Sequence, residues 1–188
     1  MTSSPWDLLM ETIKSQGGLF TVRQATEAGF SPALLSYHVG TGQFLRPFRG
    51  VYRLAHYPTS EHEDLLVLWL ASDHQGTFSH ETALALHRLS DVLPSRAHIS
   101  LPASWKRRTL PDLAERHYEA VPAEDRAWVG PLPVTSPLRT LRDCMAVLTA
   151  PELVAQAFDQ VLARGLIAPQ IVEQLRADAP PPYRRARP

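Results

Sequence analysis

Residues 18–54 read GLFTVRQATEAGFSPALLSYHVGTGQFLRPFRGVYRL, and their punctuation decides the fold of the N-terminal part of the chain. Thr21 can cap a short helix running to about Ala28, in which Val22, Ala25 and Ala28 share a face, and Gly29 ends it. Ser31 before Pro32 is a second start signal, because serine is a good N-cap and proline's fixed φ suits the first helical position. The helix it opens extends to about Gly40, with Leu35, Val39 and His38 turned inward. After Gly42 the texture changes. Phe44-Leu45-Arg46 and Val51-Tyr52-Arg53-Leu54 read as two short strands around a turn at Pro47-Phe48-Arg49-Gly50.

Upstream, Ser4 and Pro5 repeat the cap-and-proline start. Trp6, Leu9, Met10 and Ile13 then recur at helical spacing until Gly17-Gly18, which predicts a first helix over about 5–16. Three helices followed by a hairpin make a winged helix, and Gly29-Phe30-Ser31 supplies the short glycine-containing turn of a helix-turn-helix. Downstream, Pro58-Thr59-Ser60 reads as a linker, and Ser60 with Glu63 fits a capping box for a helix to about Ser72. Further helices are expected over 79–89, from Ser136-Pro137 onward, over 151–164 and over 168–178. Short strands are expected over 98–101, 116–120, 127–129 and 132–135. The expected class is α+β: a winged helix over 1–57, a mixed α/β domain over 58–178, and a proline- and arginine-rich, disordered tail over 179–188.

Composition narrows the function. The 188 residues carry 19 Lys+Arg against 19 Asp+Glu, so no uniformly basic coat exists for nucleic acid, but the charge is not evenly spread. Residues 1–60 hold five basic and three acidic side chains, whereas residues 61–150 hold nine and twelve. The single cysteine, Cys144, cannot form an intrachain disulfide or a thiolate zinc site, and by spacing it lies on the buried side of its helix. No apolar run approaches a membrane span, and the first residues lack the basic start of a signal peptide, so the expected compartment is the cytoplasm.

With Leu35 and Val39 in the core, the helix over 32–40 presents Ala33, Ser36, Tyr37 and Thr41 outward, small and hydrogen-bonding groups that can enter a major groove. The wing adds Arg46, Arg49 and Arg53 as partners for phosphate. Thr21, Arg23 and Gln24 stand at the start of the second helix, where backbone N–H groups favour an anion. These ten residues are the candidate surface for double-stranded DNA. A candidate second basic patch is Lys106, Arg107 and Arg108. The alternative for the first is ordinary solvated charge on a winged helix that contacts protein; the second could hold phosphate backbone or an acidic partner, and its alternative is a solvated loop.

Enzymatic readings find little support. A restriction-type nuclease core needs clustered carboxylates with a lysine, yet the only lysines, Lys14 and Lys106, lie in no Glu-x-Lys, and Asp112 follows Pro111 outside any such motif. Phosphate-loop, dinucleotide and nucleophile-elbow motifs are missing. His80-Glu81 approaches a zincin pattern, but Leu84 occupies the place of the second histidine. His80 and His87 form a pair with no evident third ligand. The expectation is therefore no catalytic residue, no metal and no cofactor.

The run Gly18-Leu19-Phe20-Thr21, Ala28-Gly29, Ser31, Leu35, Val39, Gly42 and Arg49-Gly50-Val51-Tyr52 resembles the N-terminal winged helix of the AbiEi antitoxins of type IV toxin-antitoxin systems. The stretch Val134-Thr135-Ser136-Pro137-Leu138-Arg139-Thr140-Leu141-Arg142-Asp143-Cys144 is similar to the segment opening the helical part of that family's C-terminal region. The resemblance implies a transcriptional autorepressor that binds operator DNA. It also implies a C-terminal domain that counters a nucleotidyltransferase-like toxin without forming a stable complex. A stand-alone winged-helix regulator without a toxin remains an alternative, as does a protein-interaction module.

Overall fold

The computed structural model describes residues 4–183. Its contacts divide the chain into two compact units. One comprises the residues through Gln75 together with Arg108–Asp112, and the other comprises Gly76–Arg107 and the residues from Leu113 onward.

The first unit contains α1 (Pro5–Ser15), β1 (Leu19–Thr21), α2 (Val22–Glu27), α3 (Pro32–Gly40), β2 (Phe44–Phe48), β3 (Val51–Leu54) and α4 (Glu63–Ala71). Its first three helices start where their caps dictate. Ser4 and Asp7 form a reciprocal capping box on α1, Thr21 and Gln24 do the same on α2, and Ser31 Oγ accepts the amide of Leu34 on α3. The helices enclose an aromatic core in which Phe20 meets Phe44 edge-on at 4.9 Å and Trp6 meets Phe30 at 5.1 Å. Leu9, Ile13, Ala25 and Leu35 complete it. Each large side chain so buried contributes about 1.5–3 kcal/mol relative to exposure.

The sheet has three strands in the order β1-β3-β2, all antiparallel. Residues 19–21, read in the sequence as the approach to a helix, form the third strand, pairing Leu19 with Arg53 and Thr21 with Val51. All three are buried, which three residues ahead of a cap do not announce. Gly18 precedes them at φ +95°, where a Cβ would fall 2.7 Å from the Tyr57 ring, so only glycine fits without displacing that ring.

The helix over 63–71 departs from expectation in two ways. Its N-cap is His62 and no side chain caps it, because Glu63, the expected partner of Ser60, is drawn to Arg53 at 2.9 Å. It packs on β1, β2 and β3, and so belongs to the first compact unit, whereas the sequence reading began a second domain at residue 58.

The second unit is built on a mixed five-stranded sheet, β6-β5-β4-β8-β7. Its strands are β4 (Thr77–Phe78), β5 (Ala97–Ser100), β6 (Ala114–His117), β7 (Arg126–Val129) and β8 (Leu132–Thr135). The pairs β4–β8 and β5–β6 are parallel, and β4–β5 and β7–β8 antiparallel. Helices α5 (His80–Leu86), α6 (Pro137–Ala146), α7 (Pro151–Ala163) and α8 (Pro169–Asp178) share a core of Leu84, Leu141, Cys144, Phe158, Val161 and Val172. Burial pushes the Cys144 thiol up to about 12, which leaves it an unreactive packing residue.

Arg139 on α6 gathers three carboxylates: Asp143 at 2.6 Å, Asp125 at 3.1 Å and Glu119 at 2.6 Å. Burial opposes its charge, but these hydrogen bonds outweigh that and raise its pKa above the ordinary value. Beside it, Thr135 Oγ1 and Thr140 Oγ1 lie 2.7 Å apart, joining the end of β8 to the first turns of α6.

Within the tail expected to be disordered from residue 179, the part through Tyr183 is structured. Ala179 is buried, Pro181–Tyr183 forms a 3₁₀ turn, and the buried Tyr183 hydroxyl donates to the Thr149 carbonyl at 2.5 Å. Apolar residues at 179 and 183 anchor a stretch whose prolines read as disorder. Arg184, Arg185 and Arg187 lie outside the described residues. Among the described residues no helix is long and apolar enough to cross a membrane.

Candidate nucleic-acid interface

The helical phase of α3 is set by what it buries. Leu35 is 1% exposed, and His38 is buried among the rings of Trp6, Phe30 and Phe44, with its Nδ1 hydrogen-bonded to the Gln43 side chain. That fixes the opposite face. Ala33, Ser36, Tyr37 and Thr41 are all exposed, Tyr37 at 63% even though its ring meets His38 edge-on at 5.4 Å. Thr41 Oγ1 donates to the His38 carbonyl at 3.2 Å, so part of its hydrogen-bonding capacity is already in use.

The wing follows from a pairing irregularity. Phe48 pairs with Val51, and Leu45 with Arg53, so Arg46 and Pro47 oppose the single residue Tyr52 in a bulge. Proline, having no N–H, suits that break in the ladder. The two-residue tip is Arg49-Gly50, with Gly50 at φ +80°, a conformation hairpin tips ask of glycine. Arg46 and Arg49 are exposed, and the Arg46 guanidinium stands 5.8 Å from the centre of the Tyr52 ring.

Arg53 does not join them. It is 7% exposed, donates to the carbonyls of Leu54, Ala55 and Tyr57 and to Thr59 Oγ1, and pairs with Glu63. A guanidinium so committed cannot reach a phosphate, and its assignment to the DNA surface is corrected to that of a scaffold residue. Thr21 is likewise buried, accepting the Gln24 amide as a cap. Gln24 is half-buried, accepts the Thr21 amide at 2.8 Å and exchanges two hydrogen bonds with Gln16. These two side chains hold α2 in place and are not offered to a ligand. The Val22 amide also donates to the Gly50 carbonyl, which ties the start of α2 to the wing tip.

Arg23 is more than half exposed and lies 2.9 Å from Asp73. Exposed pairs of this kind are worth at most about 1 kcal/mol, so a phosphate can replace the carboxylate. The candidates that remain exposed are thus Ala33, Ser36 and Tyr37 on α3, Thr41 at its C-cap, Arg46 and Arg49 on the wing, and Arg23 in the first turn of α2.

Lys106, Arg107 and Arg108 are exposed, with Lys106 Nζ 5.9 Å from the Tyr118 ring centre. The boundary between compact units falls between Arg107 and Arg108, so the run is not one surface of one unit. His80 and His87, whose spacing allowed a shared helix face, have separate partners. His87 Nε2 is bonded to the Thr135 carbonyl at 2.8 Å, while His80 lies against His98 and His117. That trio is brought together by strand pairing, which no local spacing in the sequence signals.

Comparison with known proteins reaches the N-terminal residues by family and the chain by fold. Residues 7–55 match the model of a family described as transcriptional regulator, AbiEi antitoxin. Among solved structures, the chain is similar to the crystal structure of the RV2827C protein from Mycobacterium tuberculosis, at 17% identity and a TM-score of 0.56 over 97% of this chain and 74% of that one. At that identity the likeness is one of fold. No curated protein matches the sequence.

Proposed function

We propose that this chain, whose residues 7–55 match the AbiEi antitoxin regulators, binds operator DNA, represses its own operon and serves as the antitoxin of a type IV toxin-antitoxin pair. The observation that carries the DNA reading is the phase of α3. Its buried side is locked by Leu35 and His38, and its outward side carries Ser36 and Tyr37, exposed in the same compact unit as the exposed Arg46, Arg49 and Arg23. Hydroxyl groups at that face can read base edges, while the arginines pair with flanking phosphates and fix the register. In this reading Ala33 and Thr41 border the contact, the winged helix is the reading head and the protein works in the cytoplasm without a catalytic role.

The antitoxin half of the proposal assigns the second unit the task of countering a nucleotidyltransferase-like toxin without a stable complex. The family match ends at residue 55, which favours a stand-alone regulator as the second reading. Two experiments test the proposal, the first its DNA binding and the second the choice between antitoxin and stand-alone regulator. The full chain should retard DNA from upstream of its own gene and not a scrambled fragment of the same length; equal affinity for both would overturn sequence-specific binding. Co-expression should relieve growth arrest caused by a nucleotidyltransferase-like neighbour, with no complex on co-purification. Persistent arrest would leave the regulator and remove the antitoxin.

A further inference from the structure

The second unit holds three histidines from three separate elements. His80 follows β4 as the first residue of α5, His98 is on β5, and His117 ends β6. Parallel pairing sets His117 opposite Ser100, two residues along from His98, so that the two rings share one face of the sheet. The rings are nearly parallel: His80 and His117 have centroids 3.7 Å apart and His98 and His117 5.2 Å. One nitrogen from each lies within 4.8 Å of the others. His80 is buried, and His98 and His117 are part-exposed, which leaves a route in from solvent.

We propose that His80, His98 and His117 form a binding site for one late first-row divalent cation of the zinc type. Imidazole is a ligand of choice for such ions, whereas calcium and magnesium demand oxygen. His98 Nδ1 and His117 Nε2 are 3.0 Å apart, close to the roughly 3.3 Å that two nitrogens keep when each is about 2.05 Å from a tetrahedral ion. A cation would replace the proton now shared between them. His80 brings the third nitrogen. Its Nδ1 lies 2.9 Å from Ser79 Oγ, which also accepts from Ser100 at 2.8 Å. With Nδ1–H donating to that oxygen, Nε2 is the bare nitrogen, the arrangement in which an outer hydroxyl fixes the tautomer of a ligating ring.

Two further observations favour the site. His80 adopts φ +51°, an unfavourable conformation for a residue with a side chain, at the position where its ring stacks on His117. Burial also disfavours protonation of all three rings, and neutral imidazole is the form that binds metal. The surrounding charge is mixed. Glu81 and Glu115 act on His98, Glu115 and Glu119 on His117, and Arg139 on His80, giving three carboxylates and one guanidinium. Binding turns the stacked rings about Cβ–Cγ, a broad torsion in histidine, so that the lone pairs converge. The bound cation ties β5, β6 and the β4–α5 junction together.

The test uses the full chain, stripped with a chelator and titrated with Co(II). One equivalent should bind with the intense visible absorption of a tetrahedral site, and Zn(II) should displace it. His80→Ala, His98→Ala and His117→Ala should each abolish the band, while His56→Ala, at an exposed position, should keep it. Absence of stoichiometric binding, or a band that survives the three substitutions, overturns the site. X-ray absorption of the zinc-loaded wild-type chain decides the matter should a variant fail to fold: three imidazoles around the ion are expected, and fewer refute the proposal.

Discussion

Arg53 Nε lies 2.9 Å from the Glu63 carboxylate, so one ion pair joins the central strand of the wing sheet to the first turn of α4. The other guanidinium nitrogens are held by three backbone carbonyls and Thr59. An arginine whose position in a wing suggests DNA is therefore a fastener for the chain that follows it.

Arg53→Ala should cost about 3 kcal/mol, the low end for a buried pair, because it leaves the half-buried Glu63 carboxylate without its cation. Arg46→Ala and Arg49→Ala should leave the melting temperature nearly unchanged and each lower the salt slope of DNA binding by about 0.9 for every phosphate no longer neutralised. Thermal denaturation with salt-dependent binding on the three variants checks both statements. Stable Arg53→Ala protein with weakened DNA binding would reverse the assignment.

On α3, Ser36→Ala or Tyr37→Ala should reduce discrimination between operator and non-operator DNA by about 1–3 kcal/mol while the fold persists. Leu35→Ala should instead lower stability by about 2–5 kcal/mol, through reduced burial and the cavity left behind. Binding-site selection with melting curves separates reading from packing. Unfolding by Tyr37→Ala would contradict its exposure.

Arg139→Leu should destabilise the second unit by about 3–5 kcal/mol, since Asp143, Asp125 and Glu119 would then repel one another around an apolar side chain. Arg139→Lys should restore only part, because one ammonium cannot fork to three carboxylates. Urea denaturation measures both. Equal stability of the lysine variant and wild type would show that charge alone suffices.

His87 is held below the ordinary histidine value of 6.5, first by burial and then by the Arg164 charge, against the opposing bond to the Thr135 carbonyl. Its contribution to stability is complete above 6.5 and is lost as pH falls through that value toward its lowered pKa, because the unfolded chain takes the proton first. His87→Gln keeps an N–H for the Thr135 carbonyl and removes the titration. It should flatten part of the stability loss as pH falls below 6.5, read by denaturant melts along a pH series. An unchanged pH slope would exclude His87 as a source.

Much of the first unit was legible in the sequence. Ser4, Thr21 and Ser31 cap helices that begin at the following residue, and the spacing of Leu35 and Val39 gave the correct outward face of α3. The burial of Arg53 was not legible, because nothing local to the wing marks a later helix as its cover. Here β3 is the middle strand: Tyr52 points to the helical core, and the opposite face is covered by α4. In the second unit, the helix after Ser136-Pro137 was plain from its cap and apolar spacing. The two-residue β4 and the parallel pairing of β5 with β6 were not, since parallel strands are joined by long connections that leave no local mark. The histidine trio, separated by 18 and 19 residues, depends on that pairing.

Because Arg108–Asp112 belongs to the first compact unit, that unit is not one uninterrupted piece of the gene. A recombination that replaced codons up to Gln75 would import α1 to α4 with the three-stranded sheet but retain the old segment 108–112. Exchange between relatives would therefore bring together parts that had not been selected together, whereas point changes at exposed positions such as Ser36, Tyr37, Arg46 and Arg49 leave both parts of the unit as they are.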